Sequence, residues 1–145
     1  MKNGSMVSFD EWLKDGDDVR AGDPLWSVQA YRLSVYAMAC HTFDRRTNDE
    51  LRKAAALDQL TRAVGSIAAN TAEGYSRSSI ADRSRFYGYA LGSAREAIDW
   101  YDTLRLEMGN TARERQSTLI QIRRLLLTTL KRTRPEGGTK SMRDQ

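Results

Sequence analysis

Apolar residues recur at helical spacing along most of the chain. From 24 to about 44, Trp26, Ala30, Leu33, Ala37 and Cys40 step by 4, 3, 4 and 3. Val28, Tyr31, Val35 and Met38 form a neighbouring stripe, which widens the apolar face. A second helix is predicted from Asn48 or Asp49, both good caps. It carries Leu57, Leu60, Val64, Ile67 and Thr71 inward and ends near Gly74, read as a left-handed C-cap. A third helix begins after Ser78 and Ser79 and sets Phe86, Ala90, Ser93, Ala97, Trp100 and Leu104 in the same rhythm. Gly109-Asn110 breaks that run, and a fourth helix turns Leu119, Ile122, Leu126 and Leu130 inward. No period-2 alternation survives anywhere, so no strand is predicted.

The two prolines bracket this pattern. Pro24 follows Asp23, the signature of an N-cap with proline at the first helical position. Pro135 opens a Pro-Glu-Gly-Gly segment that ends the helical run. Ser8 with Glu11 fits a capping box, and Phe9, Trp12 and Leu13 supply one amphipathic turn. The chain thus divides into a flexible acidic extension over 1–22, a bundle over 23–134 and a disordered tail over 135–145. Four successive helices with short links predict an all-α, antiparallel up-down-up-down four-helix bundle, roughly 30–45 Å long. Gly88 and Gly92 lie among Ala90, Ser93, Ala94 and Ala97 on the third helix. Each glycine costs about 1 kcal/mol relative to alanine there, which predicts a close helix–helix approach as the offset. Trp100 and Tyr101 are candidates for an exposed interface.

Composition narrows the chemistry. One cysteine in 145 residues excludes an intrachain disulfide and a Cys-rich zinc site, and one histidine excludes two-His metal motifs. No apolar run approaches the roughly 20 residues of a membrane span, and the polar, acidic start does not read as a signal segment. A cytoplasmic protein is the expectation. Cys40 and His41 are adjacent, so they point about 100° apart and form no dyad; Cys40 lies on the core stripe. Asp99 and Asp102 read as an acidic patch balancing Arg95 and Arg105. With no strand there is no strand-and-glycine phosphate loop. The chain reads as a non-enzyme with no catalytic residues, no metal and no cofactor.

Charge is uneven. The formal net charge is +4, yet residues 1–23 hold six acidic residues against three basic. Residues 111–134 hold seven basic residues, with Glu114 the one acid. Most are arginines, whose planar fork of donors suits phosphate and carboxylate oxygens. Arg113, Arg124 and Lys131 fall within about 20° of one another on the helix, away from its apolar stripe.

One polar motif interrupts the apolar run of the second helix. Asn70 and Glu73 sit at i, i+3 near its end, and Glu96 follows Gly92-Ser93 on the next helix. A carboxylate at the core edge needs a partner. Arg62, Asn70, Glu73, Arg77 and Glu96 are therefore candidates for a polar network tying the two helices, with direct ligand contact as the alternative.

The run Ser66-Ile67-Ala68-Ala69-Asn70-Thr71-Ala72-Glu73-Gly74-Tyr75-Ser76-Arg77, then Phe86, then Ala90-Leu91-Gly92-Ser93-Ala94-Arg95-Glu96, resembles the four helix bundle protein family. That family includes proteins encoded in intervening sequences of bacterial large-subunit ribosomal RNA genes. It also includes the accessory variability determinant of diversity-generating retroelements. Leu25, Trp26 and Ala30 resemble its opening pattern, and the likeness runs over about 25–134; Thr71 stands where the family usually has Ile. The resemblance implies a homopentamer arranged as a barrel around a central channel. Members of the retroelement type bind nucleic acid and a reverse transcriptase; those of the intervening-sequence type have no settled activity. On this reading the partners are RNA or DNA and a reverse transcriptase, and five copies would carry a charge of about +20. Phosphate contacts would come from Arg113, Arg123, Arg124, Lys131, Arg132 and Arg134, then from Arg77, Arg83 and Arg85. Aromatic interleaving among these residues is not visible in the sequence, so base stacking is not expected. The alternative is a scaffold whose arginine face docks an acidic protein.

Overall fold

The structure, a computed structural model, describes residues 4–133, the side chains at 17 and 18 excepted. The predicted tail over 135–145, and Arg134, lie outside the described residues. Helix α1 spans Phe9–Arg20, and a 3-10 turn at Pro24–Ser27 leads into α2, Gln29–Thr47. Then follow α3 (Asp49–Lys53), α4 (Leu57–Ser76), α5 (Ile80–Thr103), α6 (Arg105–Met108) and α7 (Asn110–Thr133). No strand occurs among the described residues. The long helices α2, α4, α5 and α7 form a helical bundle in which α4 packs on α5, α5 on α7, and α2 on both α4 and α7. Leu33, Leu60, Val64, Ile67, Ala90, Ala94, Ala97, Leu119, Ile122 and Leu126 fill its core.

The helix breaks follow from which side chains must be buried. The predicted second helix is split into α3 and α4 by Ala54, which is extended. Leu51 and Leu57 are both buried. In one continuous helix they would point about 120° apart, so the break lets both reach the core. The Asn48 side chain caps α3 by accepting from the Leu51 N–H and donates to the Glu107 carbonyl, pinning the link to α6. Asp23 caps the 3-10 turn through the Leu25 N–H, but extended Val28 delays α2 to Gln29. Gly109, at φ +56°, makes the turn between α6 and α7, a conformation that glycine adopts without steric cost.

Three sequence expectations are corrected. Gly74 is not a left-handed cap: it lies inside α4, and a Cβ there would come within 2.8 Å of the Tyr87 ring. Gly88 and Gly92 do not mediate approach within the chain, because a Cβ on either meets nothing within 4 Å. Ala90, Ala94 and Ala97 make the close packing instead, and the glycines face outward. The segment expected to hold a single turn before 23 instead forms the twelve-residue α1. Phe9 and Trp12 pack against Tyr36 at ring-centroid distances of 5.4 and 5.5 Å, and Trp12 meets Trp26 at 6.1 Å. The Tyr36 hydroxyl donates to the Val7 carbonyl at 2.7 Å, and the Arg20 guanidinium lies 4.4 Å over Trp26. A few aromatic anchors and two cation–π contacts of Arg20, over Trp26 and Tyr31, hold α1, so it shows no repeating apolar stripe in the sequence.

An ion pair sits in the core. Arg115 on α7 donates from Nε and Nη2 to the two carboxylate oxygens of Asp44 on α2, each at 2.8 Å, with both side chains buried. Burial opposes the charge on Arg115 most strongly, but the bonds and charge of Asp44, with Cys40 and Tyr101 nearby, together outweigh it and hold its pKa above the ordinary value. Around the pair, burial pushes the Tyr36 and Tyr101 hydroxyls and the Cys40 thiol upward. Cys40 therefore has little thiolate character. Tyr101 is buried here, so it offers no exposed interface; Trp100 is half-buried, with Nε1 donating to Glu96.

His41 is buried next to this pair. Its Nε2 lies 2.8 Å from the Thr61 hydroxyl, which itself donates to the Leu57 carbonyl. The ring must therefore donate from Nε2, leaving Nδ1 buried as a bare lone pair. A proton there would find no acceptor. Burial, with repulsion from Arg45, lowers the pKa to about 4.

Two stability effects follow. Asp44→Ala strands the Arg115 charge and should cost about 3–5 kcal/mol in chemical denaturation, whereas Asp44→Leu with Arg115→Met should cost less than the two single changes summed. A single change costing under about 1 kcal/mol would deny the pair this role. The folded state disfavours protonated His41, so stability should fall as pH drops from about 6.5 towards 4, by on the order of 3 kcal/mol. His41→Gln should flatten that fall in denaturation midpoints measured across the window.

Candidate nucleic-acid interface

The predicted cations fall into two groups. On α7, Arg113, Arg124, Lys131 and Arg132 are exposed and Arg123 is half-buried. Arg113, Arg124 and Lys131 share one face over about 27 Å of helix. None of these five residues makes a salt bridge among the described residues, which leaves the stripe without local compensation. Arg123 alone turns inward in part, its Nε buried without a partner. Arg115, in the same basic segment, is withdrawn into the core by Asp44.

The other group lies at the turn from α4 to α5, and its members are engaged. Arg77 pairs with Glu73 at 3.0 Å, Arg85 pairs with Asp82 at 3.1 Å, and Arg83 Nε donates to the Arg77 carbonyl at 2.6 Å. The Phe86 ring lies between two of them, 4.8 Å from the Arg77 guanidinium and 5.2 Å from that of Arg85. Tyr89 meets Phe86 edge-on at 5.8 Å. Cations and rings are thus interleaved here, contrary to the sequence expectation. Ser84 on α5 bonds Thr133 on α7, so the last turn of the basic stripe reaches this end of the bundle.

The proposed polar network does not assemble. Asn70 donates to the Ser66 carbonyl, Glu73 holds Arg77 within one turn, and Glu96 accepts from Trp100. Arg62 is exposed. Each partner lies on the same helix or in its cap, where solvent already serves the charges. The buried ion pair between helices is instead Asp44–Arg115, whose members continue the core rhythms 30, 33, 37, 40, 44 and 115, 119, 122, 126.

Two further clusters complete the charged surface. Arg45, Arg46 and Arg52 line an open cleft with Thr42; Arg52 donates to the Arg45 and Arg46 carbonyls and pairs with Asp49. Asp102 accepts from Gln116 and Arg105, which holds its carboxyl below the usual range. No group of three or more potential metal ligands occurs among the described residues. No helix there is long and apolar enough to cross a membrane.

Residues 29–127, which carry α2 through most of α7, match the family of 23S rRNA-intervening sequence proteins. The chain belongs to that family. The 23S rRNA-intervening sequence match excludes α1 and the aromatic residues that seat it, apart from those on α2. Among solved structures, a protein with unknown function of the S23 ribosomal protein family from Bacteroides thetaiotaomicron is similar at a TM-score of 0.59 and 22% identity. The likeness covers 70% of this chain and 94% of that one, and it establishes the shared helical fold. No curated protein matches.

Proposed function

We propose that this chain is a non-enzymatic, cytoplasmic nucleic-acid-binding accessory subunit. The observation that carries the reading is the uncompensated cationic stripe of α7, Arg113, Arg124 and Lys131, flanked by Arg123 and Arg132. Such a stripe attracts phosphates largely without regard to sequence. The family's name associates it with ribosomal RNA genes, and the motif resemblance extends to the accessory variability determinant of retroelements, so a reverse transcriptase is the second partner proposed. The four long helices are taken to run up-down-up-down, in keeping with the three-residue link between α4 and α5. Five such chains in a barrel would repeat the stripe, and multivalency would turn a weak single face into a strong one.

The test is charge reversal. Arg124→Glu, Lys131→Glu and Arg132→Glu together should abolish an RNA gel shift at low salt while leaving the circular dichroism melt within a few degrees of wild type. Unchanged binding would refute the α7 assignment. Binding of an acidic protein, with no RNA shift by the wild type, would favour the scaffold alternative.

A further inference from the structure

We infer that the outer face of α5 beside the α4–α5 turn is a stacking subsite for an unpaired nucleotide base; this rests on the nucleic-acid reading above. Arg85, Gly88, Tyr89 and Gly92 lie within about 100° of one another on that helix. Tyr89 is 54% exposed. The positions beside it are glycines, and a Cβ on either would meet nothing within 4 Å. Each glycine weakens the helix by about 1 kcal/mol, and packing within the chain gives no return for it. What the glycines do provide is room: Phe86 meets the tyrosine ring edge-on, but with no side chain at 88 or 92 the ring keeps an open flank on that side that a flat group can enter.

The surroundings select the occupant. Phe86 seats the guanidiniums of Arg77 and Arg85, and Arg83 is fixed by the Arg77 carbonyl. Two guanidiniums therefore lie on the Phe86 ring, which meets Tyr89 edge-on, and Arg83 is held at the Arg77 carbonyl beside them, against two carboxylates, Glu73 and Asp82. An aromatic face bordered by guanidinium planes matches a base with its phosphate, because every base has a π-face and guanidinium also stacks. A duplex hides its base faces, so the subsite favours single-stranded segments. Phe86 acts as a positioning residue, and Tyr89 makes the contact. The bond from Ser84 to Thr133 sets this subsite at the end of the α7 stripe, so one strand can place phosphates on α7 and a base on Tyr89.

The experiment compares wild type, Tyr89→Ala and Tyr89→Phe. Each is titrated by fluorescence anisotropy with a labelled oligouridine and with an RNA duplex of equal charge, and its mass is measured by light scattering. Tyr89→Ala should weaken oligouridine binding by about 5- to 100-fold, the usual range for one lost stack, and leave the duplex unchanged. Tyr89→Phe should retain both affinities. Wild-type oligouridine affinity in Tyr89→Ala would overturn the subsite while leaving the α7 reading intact. Equal losses on both probes would also overturn it, as would a fall in mass, which would assign this face to a second copy of the chain. If the wild type binds neither probe, the nucleic-acid reading fails and the subsite with it.

Discussion

The bidentate bond between Asp44 and Arg115 constrains the bundle more than any other contact. A carboxylate and a guanidinium share a core built mainly of alanine, leucine, isoleucine and valine, with Tyr87, Tyr101 and Met108 among them. Their bonds to each other offset a large desolvation cost, and neither can be moved alone without leaving a bare charge. A one-turn slip of α7 along α2 would strand both, so the pair selects one register. It also sets the rotation of α7. With Arg115 turned inward, Arg113, Arg124 and Lys131 lie about 160–180° away, and their outward aim is the geometric consequence. The same contact therefore orders the core and orients the cationic face.

The charges sort by whether the chain itself satisfies them. At the α4–α5 turn the arginines hold local structure, pairing with Glu73 and Asp82, donating to a helix-end carbonyl and packing on Phe86. On α7 the exposed cations have no such duties. Uncompensated charge along one helix face destabilises through repulsion, so folding alone gives no return for the stripe, and this supports the proposed anionic partner. The acidic α1 packs through Phe9 and Trp12 onto α2 and lies outside the residues that match the family.

Much of the fold was legible because core positions repeat at 3 and 4. The stripes through Leu33, Leu60 and Leu119 match the buried positions, and the basic side of α7 is exposed; on α5 the buried face is rotated, with Tyr87, Ala94 and Tyr101 inside where Phe86, Ser93 and Trp100 are only half-buried. The links at Asn48, Ser78-Ser79 and Gly109 were legible, but the break within the predicted second helix was not. The separation of α3 from α4 depends on burying both Leu51 and Leu57, a tertiary requirement with no local signal. Helix α1 was missed because rings distant in sequence hold it. The ion pair was open to view: Asp44 and Arg115 each continue an apolar rhythm, and a charge on a core stripe implies a buried partner. Asn70, Glu73 and Glu96 form the more conspicuous polar motif, yet solvent and same-helix neighbours already satisfy them. The interleaving of Arg77, Phe86 and Arg85 needs the α4–α5 turn to bring them together, so linear spacing concealed it.

On the proposed function, α7 meets nucleic acid through phosphates. The most direct measurement is the affinity of the wild-type protein for a single-stranded RNA as salt is varied, with mass recorded in the same buffers. Three cations on phosphates predict that log affinity falls linearly with log salt, with a slope of about −2 or steeper. A flat dependence, or no binding at low salt, would contradict the account.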